Sequence, residues 1–470
     1  MNRTVPLILA VALFMEQMDS TVIATSLPAI AADIGTSPIT LKLALTTYFV
    51  ALAIFIPVSG WMADRFGAKR VFRIAIGVFV CGSLACAAAG TLYEFVGARF
   101  LQGMGGAMMT PVGRLVLVRS TPRAQLVSAM AWLSVPALIG PLVGPPVGGF
   151  ITTFFTWHWI FLINVPIGVL GVLVAGRVLP DMPPVPVGRI DWPGFALAAV
   201  ACSGIVFGLS VVSMPALPPL VGIATLVIGT IAAVLYVRHA RRVMKPILDL
   251  RLFDNPVPRI AILSGSIFRI GIGATPFLLP LMFQIGFGLN PFESGMLTFA
   301  SAIGAISLKF FATTALRAAG FRNVLIFAVL TGALLIGANG FFTPQTPYWL
   351  IIAVLIASGF TRSLFFTSNN ALTFAEIDDR QASQATALSA VSQQISIALG
   401  VSVAGMLLEA HHIVTGEPTG LAAFSTAFIM IAVLAACAVI PLLGLSPDAG
   451  VGVSGHRRLK PEDENPPSIV

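Results

Sequence analysis

Runs of about 20 apolar residues follow one another along this chain, and they limit its fold more than any other feature. A helix of about that length crosses the roughly 30 Å hydrocarbon core of a bilayer. Fourteen runs are found, at 6–29, 43–62, 73–92, 95–117, 130–153, 158–179, 193–211, 216–237, 261–283, 293–316, 324–341, 347–367, 384–409 and 422–444. They take up about 294 of the 470 residues at about 21 residues per span. What remains is mostly short loops, with no room for a large soluble domain. Composition agrees. Apolar residues make up 57% and charged residues 10%, against about 25% charged in an ordinary soluble protein. So few charges would not keep a monomer in water. Soluble enzymes, nucleic-acid binders and disordered scaffolds are set aside.

The first run has Arg3 ahead of it and Ala29-Ile30-Ala31 behind it, as a secretory leader would. It is too long for a leader's apolar region and holds Glu16 and Asp19 in its middle, so it is read as the first span. Basic residues then give sidedness. With the N-terminus inside, the inner loops carry Arg65, Lys69, Arg70, Arg73, Arg119, Arg123 and Arg189. The cluster Arg238, Arg241, Arg242, Lys245, Arg251 and Arg259 follows, then Arg317, Arg322 and Arg380, and the tail adds Arg457, Arg458 and Lys460. The opposite loops carry essentially Lys42 alone. This bias puts both termini in the cytoplasm and accounts for the net charge of +8. The longest loops, near 178–192 and 238–260, divide the chain into six spans, a hairpin of two, and six more. Leu248 to Arg259 suits either a short interfacial helix or a plain linker. The segment from Pro447 is polar and proline-bearing and is expected to be disordered.

Several common chemistries have no residues to carry them. Cys81, Cys86, Cys202 and Cys437 lie inside apolar runs without ligand spacing and read as small buried hydrophobes. The histidines show no metal-ligand spacing on a helix, although His411 and His412 form a pair in an outer loop. No phosphate-cradling Gly-x-x-x-x-Gly-Lys-Ser/Thr loop is present. No metal, cofactor or ATP-binding unit is expected, which leaves an ion gradient as the energy source.

Four motifs stand out in the first half. After the second run comes Gly60-Trp61-Met62-Ala63-Asp64-Arg65-Phe66-Gly67-Ala68-Lys69-Arg70. Gly60 would let two helices approach closely. Gly67 would permit a tight turn. Asp64 could accept helix N-terminal amides or pair with a neighbouring arginine, forming a charged latch at the cytoplasmic mouth. The fourth run opens with Arg99-Phe100-Leu101-Gln102-Gly103-Met104-Gly105-Gly106-Ala107. The fifth holds Gly140-Pro141-Leu142-Val143-Gly144-Pro145-Pro146-Val147-Gly148-Gly149. The first holds Met18-Asp19-Ser20-Thr21-Val22-Ile23-Ala24-Thr25-Ser26-Leu27-Pro28. These segments resemble, in order, the loop signature of the major facilitator superfamily, its arginine-bearing span-4 motif, its antiporter motif, and the signature of its fourteen-span drug/proton antiporter branch, the multidrug efflux type. Arg317, Gly320 and Arg322 follow the tenth run much as Arg65, Gly67 and Lys69 follow the second, without the acidic residue.

The resemblance implies an all-α integral membrane protein of 14 transmembrane helices, with two six-helix bundles plus a two-helix insertion. The expected divisions are a first bundle over 1–180, a linker insertion over 181–245 (spans 7 and 8), a second bundle over 246–445 and a disordered cytoplasmic tail over 446–470.

Ionisable groups in mid-membrane cost about 2.5–3.5 kcal/mol each and each asks for a reason. Glu16 and Asp19, three residues apart, lie about 60° apart on one helix face. Asp19 sits about 20 Å from the cytoplasmic end of its span, and Arg99, on a span of opposite direction, about 24 Å. An Asp19–Arg99 pair is therefore compatible in depth. It reads either as a proton-coupled switch or as a static ion pair joining spans 1 and 4. Glu16 would carry a second proton or meet a cationic substrate. Gly140, Gly144 and Gly148 form one stripe interrupted by Pro141, Pro145 and Pro146. That suits a hinging helix, or a kinked packing helix that stays still. Arg114, Lys309 and Arg362 lie toward cytoplasmic ends and would snorkel. Arg269 lies a third of the way through span 9 and reads either as a structural pair with a carbonyl or another helix or as a substrate contact. Gln102 is a candidate substrate contact, as is Gln393, whose polar stripe with Thr386, Ser389, Ser396 and Gly400 reads either as interhelical glue or as a substrate site.

The resulting expectation is a multi-pass protein of the inner, cytoplasmic membrane, not an enzyme. It would use protons to export small amphipathic, cationic drugs or toxic compounds by alternating access. The alternative is a dedicated exporter of a single metabolite or organic anion. Its partners would be small-molecule substrate, protons and the lipid bilayer, with no nucleic acid. The unit would be a monomer, either alone or serving outer export components.

Overall fold

The computed structural model describes residues 4–121, 126–212, 218–307, 312–377 and 381–454. The architecture is helical throughout, with no strand among the described residues. The first half holds α1 (Thr4–Val22), α2 (Leu27–Ile34), α3 (Lys42–Phe66), α4 (Ala68–Ala88), α5 (Leu92–Ser120), α6 (Leu126–Phe154), α7 (Trp159–Leu162) and α8 (Asn164–Val178). Next come α9 (Trp192–Val211) and α10 (Pro219–Arg242). The second half holds α11 (Pro256–Leu281), α12 (Pro291–Ser307), α13 (Ala312–Ala338), α14 (Tyr348–Phe374), α15 (Ala382–Thr415), α16 (Leu421–Ala436), α17 (Val439–Leu443) and α18 (Val451–Ser454). Among the described residues, eleven helices are long and apolar enough to cross a membrane. α5, α6 and α12 occupy three further apolar runs. The chain is a multi-pass membrane protein.

Local sequence explains the boundaries. Thr91 and Glu94 form a capping box at the start of α5. Asp191 caps α9 by accepting from Gly194 N at 3.0 Å, and Asn255 caps α11 through Val257 N at 3.0 Å. Helices run several residues past the apolar runs because polar interface residues continue the helical ladder outside the hydrocarbon. α14 extends to Phe374, which puts Arg362 near the middle of that helix instead of at a snorkelling end. α15 likewise absorbs His411 and His412, expected in a loop, into its last turns. Gly67 has φ +90° between α3 and α4, and Gly320 has φ +71° within α13, breaking that helix in two. The same left-handed glycine thus punctuates both halves, at the two positions the sequence echo marked.

α1 packs against α5, α6 and α8, and α4 against α5 and α8. α11 packs against α14, α15 and α16, and α12 against α14. α3 meets α15, and α6 meets α12, joining the two halves. α9 and α10 pair chiefly with each other. A Cβ on Gly204 would fall 2.7 Å from Gly229 Cα, and one on Gly222 2.6 Å from Val212 Cα, so small residues bring these backbones together. Most of α10 is exposed apolar surface, including Leu220, Ile223, Val227, Ile228 and Ile231.

One open reading is decided here and one expectation needs correction. Of the two readings of Leu248 to Arg259, the linker fits better. Leu250–Asp254 is a 3₁₀ turn, and Leu248 is buried with its backbone held on both sides by the Tyr236 hydroxyl at 2.9 Å. The tail from 446 is not wholly without structure. Residues 446–454 fold back, with Leu445 and Ala449 buried and Gly450, at φ +68°, against Phe321. The apolar Leu445 and Ala449 supply burial that the polar composition of the tail as a whole conceals.

Candidate functional site

Asp19 and Arg99 meet in the first half. Both are fully buried, and Arg99 Nη1 donates to Asp19 Oδ2 at 2.7 Å. The other carboxylate oxygen, Oδ1, accepts from Gln102 Nε2 at 2.8 Å and from Asn164 Nδ2 at 2.8 Å. Arg99 Nη1 also donates to Gln102 Oε1. Gln102 Nε2 reaches Ser83 Oγ at 2.7 Å, and Asn164 Nδ2 reaches the same oxygen at 3.3 Å. Four helices, α1, α4, α5 and α8, each contribute. The tightness comes from glycine. A Cβ on Gly82 would fall 2.5 Å from Gln102 Cα, so α4 and α5 touch backbone to backbone. Gly103 and Gly105, on either side of α5, are closed in the same way by α3 and α4.

The guanidinium of Arg99 lies 4.3 Å from the Tyr48 ring centroid and 5.8 Å from that of Phe161. Its Nε and Nη2 have no hydrogen-bond partner among the described residues. The aromatic faces therefore supply part of the compensation that donors to acceptors do not. Gln102, expected as a substrate contact, is instead an interior member of this network with no exposed surface.

Glu16 lies one turn from Asp19 on α1, nearly buried. Its Oε2 accepts from Thr110 Oγ1 at 2.9 Å and Gln17 Nε2 at 3.0 Å. No basic residue forms an ion pair with it among the described residues.

The glycine stripe of α6 faces α1. A Cβ on Gly140 would fall 3.0 Å from Met18 N and Gln17 Cβ, and on Gly144 or Gly148 it would collide with Thr21 or Val22. Gly149 is turned the other way, where a Cβ would fall 2.8 Å from Phe292 Cα on α12. Pro141, Pro145 and Pro146 sit within an unbroken helical stretch. α6 thus holds the acid-bearing helix on one side and the second half on the other.

At the basic end, Asp64 pairs with Arg119 at the end of α5, 2.6 Å away, and not with its own neighbours. Lys69 pairs with Asp181 at 2.8 Å, which holds that exposed carboxyl below its ordinary value. Arg65 and Arg70 are exposed and form no ion pair among the described residues. Gly67 is required twice over, by its φ of +90° and because a Cβ would fall 2.7 Å from Met182 O. Gly60 does not behave as expected. A Cβ there would meet nothing within 4 Å, because the residue lies on an exposed face of α3.

In the second half, Arg269 is 1% exposed. It donates to Asn370 Oδ1 at 3.4 Å and lies 5.1 Å from the Phe366 ring centroid. Gln393 is partly buried on α15 and does not join it. Lys309 lies outside the described residues. Four important residues escaped the sequence reading: Ser83, Asn164, Thr110 and Arg119. Asn164 was detectable, as an amide opening an otherwise apolar run. Ser83 and Thr110 carry no comparable signal.

Comparison with known proteins agrees with this geometry. The model of the Major Facilitator Superfamily matches residues 9–237 and 261–466. The chain is 37% identical over 401 residues to a putative multidrug resistance protein MdtD of Pectobacterium carotovorum subsp. carotovorum (strain PC1), covering 85% of this chain and 86% of that one. It is 36% identical over 446 residues to a protein of the same description from Yersinia pestis (strain Pestoides F), covering 94% and 96%. Among solved structures, a POT family transporter in complex with 5-aminolevulinic acid superimposes with a TM-score of 0.70 at 14% identity, covering 95% of this chain and 96% of that one. A D-xylose-proton symporter gives 0.65 at 14% identity, covering 92% and 96%. With both halves matched in sequence and the whole chain in fold, this protein belongs to the Major Facilitator Superfamily and is a secondary transporter of small molecules, not an enzyme.

Proposed function

We propose that the chain exports small amphipathic, cationic compounds in exchange for protons, by alternating access across the inner membrane. The observation that carries this reading is the sealed Asp19–Arg99 pair with Glu16 one turn away. Protonating Asp19 would remove the charge that Arg99 is paired with and loosen four helices at once. Glu16, free of any basic partner within ion-pair distance, would meet the cation. The span count under this reading is fourteen, the eleven clear crossings plus α5, α6 and α12, with both termini cytoplasmic. The two six-helix bundles span 1–180 and 246–445, with α9 and α10 inserted between them. Hydrogen bonds from Gln284 Nε2 to Thr25 O (2.9 Å) and from Phe292 N to Thr153 Oγ1 (3.1 Å) tie the halves at the end away from the basic loops. That is consistent with an outer side that is shut.

The test is Asp19→Asn, which keeps size but cannot ionise. Purified protein in liposomes, given ethidium and an imposed pH gradient, should lose concentrative transport while its expression stays near normal. Transport against a gradient with unchanged proton stoichiometry would reduce the pair to a structural one. A second reading, export of a single metabolite or organic anion, is favoured by one observation: Arg269 is a buried cation that no described carboxylate meets.

A further inference from the structure

Arg269 lies mid-helix in α11, and no described residue supplies a counter-charge for it. It forms no ion pair among the described residues. The described acids that follow α11, namely Glu293, Glu376, Glu409, Glu417 and Asp448, all sit toward helix ends or in connections. An isolated guanidinium at this depth costs about 2.5–3.5 kcal/mol even on lenient scales.

The donors around it converge. A Cβ placed on Gly265, one turn before Arg269, would fall 2.6 Å from Arg269 Nη1 and 2.7 Å from Asn369 Nδ2. Both donor nitrogens therefore crowd one point over bare glycine backbone. Arg269 Nε and Asn369 Oδ1 have no hydrogen-bond partner among the described residues. Turning the Asn369 amide over would bring an oxygen to Arg269 but no charge. Asn370 contributes only a long 3.4 Å contact. Arg362 falls four residues before Phe366 and seven before Asn369 on the same face of α14, which adds positive charge to this side of the helix. It also lines a cavity of about 20 Å³ with Thr275, Ser358 and Thr361.

We propose that Arg269, Asn369 and Asn370 form an anion site that takes a carboxylate, supplied by the transported compound or by a small free acid. The substrate arm rests on the transport reading above. The planar fork of a guanidinium matches the two oxygens of a carboxylate. Gly265, having no side chain, leaves room for Arg269 and Asn369 to come together there.

The test is ligand binding to the purified full-length protein in detergent, read as a shift in unfolding temperature and by calorimetry. Benzoate should bind and stabilise the wild type, whereas benzamide, its neutral analogue, should not. Arg269→Gln should weaken benzoate at least about tenfold, or roughly 1.4 kcal/mol, and Arg269→Lys should recover part of the loss. Asn370→Asp supplies the missing charge from the protein itself. It should fold at least as well as the wild type and also lose benzoate affinity about tenfold. Tighter binding of benzoate than of acetate assigns the site to the transported compound, and equal binding assigns it to a free acid. The proposal is overturned if benzoate and benzamide act alike on the wild type, or if Arg269→Gln and Asn370→Asp keep the wild-type response. The measurement needs no pH gradient, so its failure leaves the coupling reading of Asp19 standing.

Discussion

Arg99 on α5 and Arg269 on α11 are both buried arginines facing a partner helix within their own half of the molecule. Arg99 meets a carboxylate at 2.7 Å, set in a network of two amides and a serine. Arg269 meets amides and the Phe366 ring. One arginine thus has a carboxylate in place, and the other has none among the described residues. Under the proposed function, that inequality would divide the labour: the first half would exchange a proton with a partner already in place, and the second would respond to what arrives.

The contrast is sharpest in stability. Arg99→Ala strands Asp19 as a buried, unpaired charge and should cost about 3–5 kcal/mol, seen as poor expression and a much lower unfolding temperature. Arg269→Ala removes an unbalanced cation and should cost far less. Equal losses would end the distinction. Next in size is helix seating. Gly144 on α6 seats α1, and Gly400 on α15 seats α11, where a Cβ would fall 2.9 Å from Ala274 N. Gly144→Leu should abolish exchange by pushing Asp19 away from Arg99, and Gly400→Leu should impair it less. If Gly400→Leu proves the more damaging in liposome transport, the coupling centre lies in the second half.

The smallest effect concerns the basic-end loops. Lys69 is paired with Asp181, whereas Arg322 of the echo donates to the Leu443 carbonyl at 3.2 Å. The depressed Asp181 carboxyl contributes fully above its ordinary pKa, and the contribution is lost as pH falls through the lowered folded value. Asp181 is fully exposed, so the pair is screened by salt. Asp181→Asn should leave stability at pH 7 almost unchanged and slightly flatten its fall in acid. A large loss at neutral pH would show the latch to be structural.

Much of this was legible beforehand for a physical reason. Lipid penalises every polar group, so span positions, Glu16, Asp19, Arg99 and Arg269 announce themselves, and helix rise gives their depth. The Asp19–Arg99 pair was compatible in depth, and the structure brings the two together. Partners whose types are common everywhere did not announce themselves. Ser83 and Thr110 look like any hydroxyl in a helix, and Arg119 looks like another basic loop residue. Gly60 shows the opposite error. A small residue within a motif was read as a packing site, yet its surroundings in this structure are open. Arg362 was misplaced because apolar runs mark the bilayer and not the helix, and α14 continues well beyond its run.

The crowding around α6 bears on how this sequence can drift. Three of its glycines are taken by α1, a fourth by α12, and prolines fill the intervals between them. At those four glycines a new side chain could not be tried without disturbing a neighbour. α10 is its opposite, a helix whose exposed Leu, Ile and Val face lipid and exchange for one another at little cost. Substitutions should therefore accumulate on α10 and be purged from α6, so that the same membrane protein holds one helix that records its ancestry and another that forgets it.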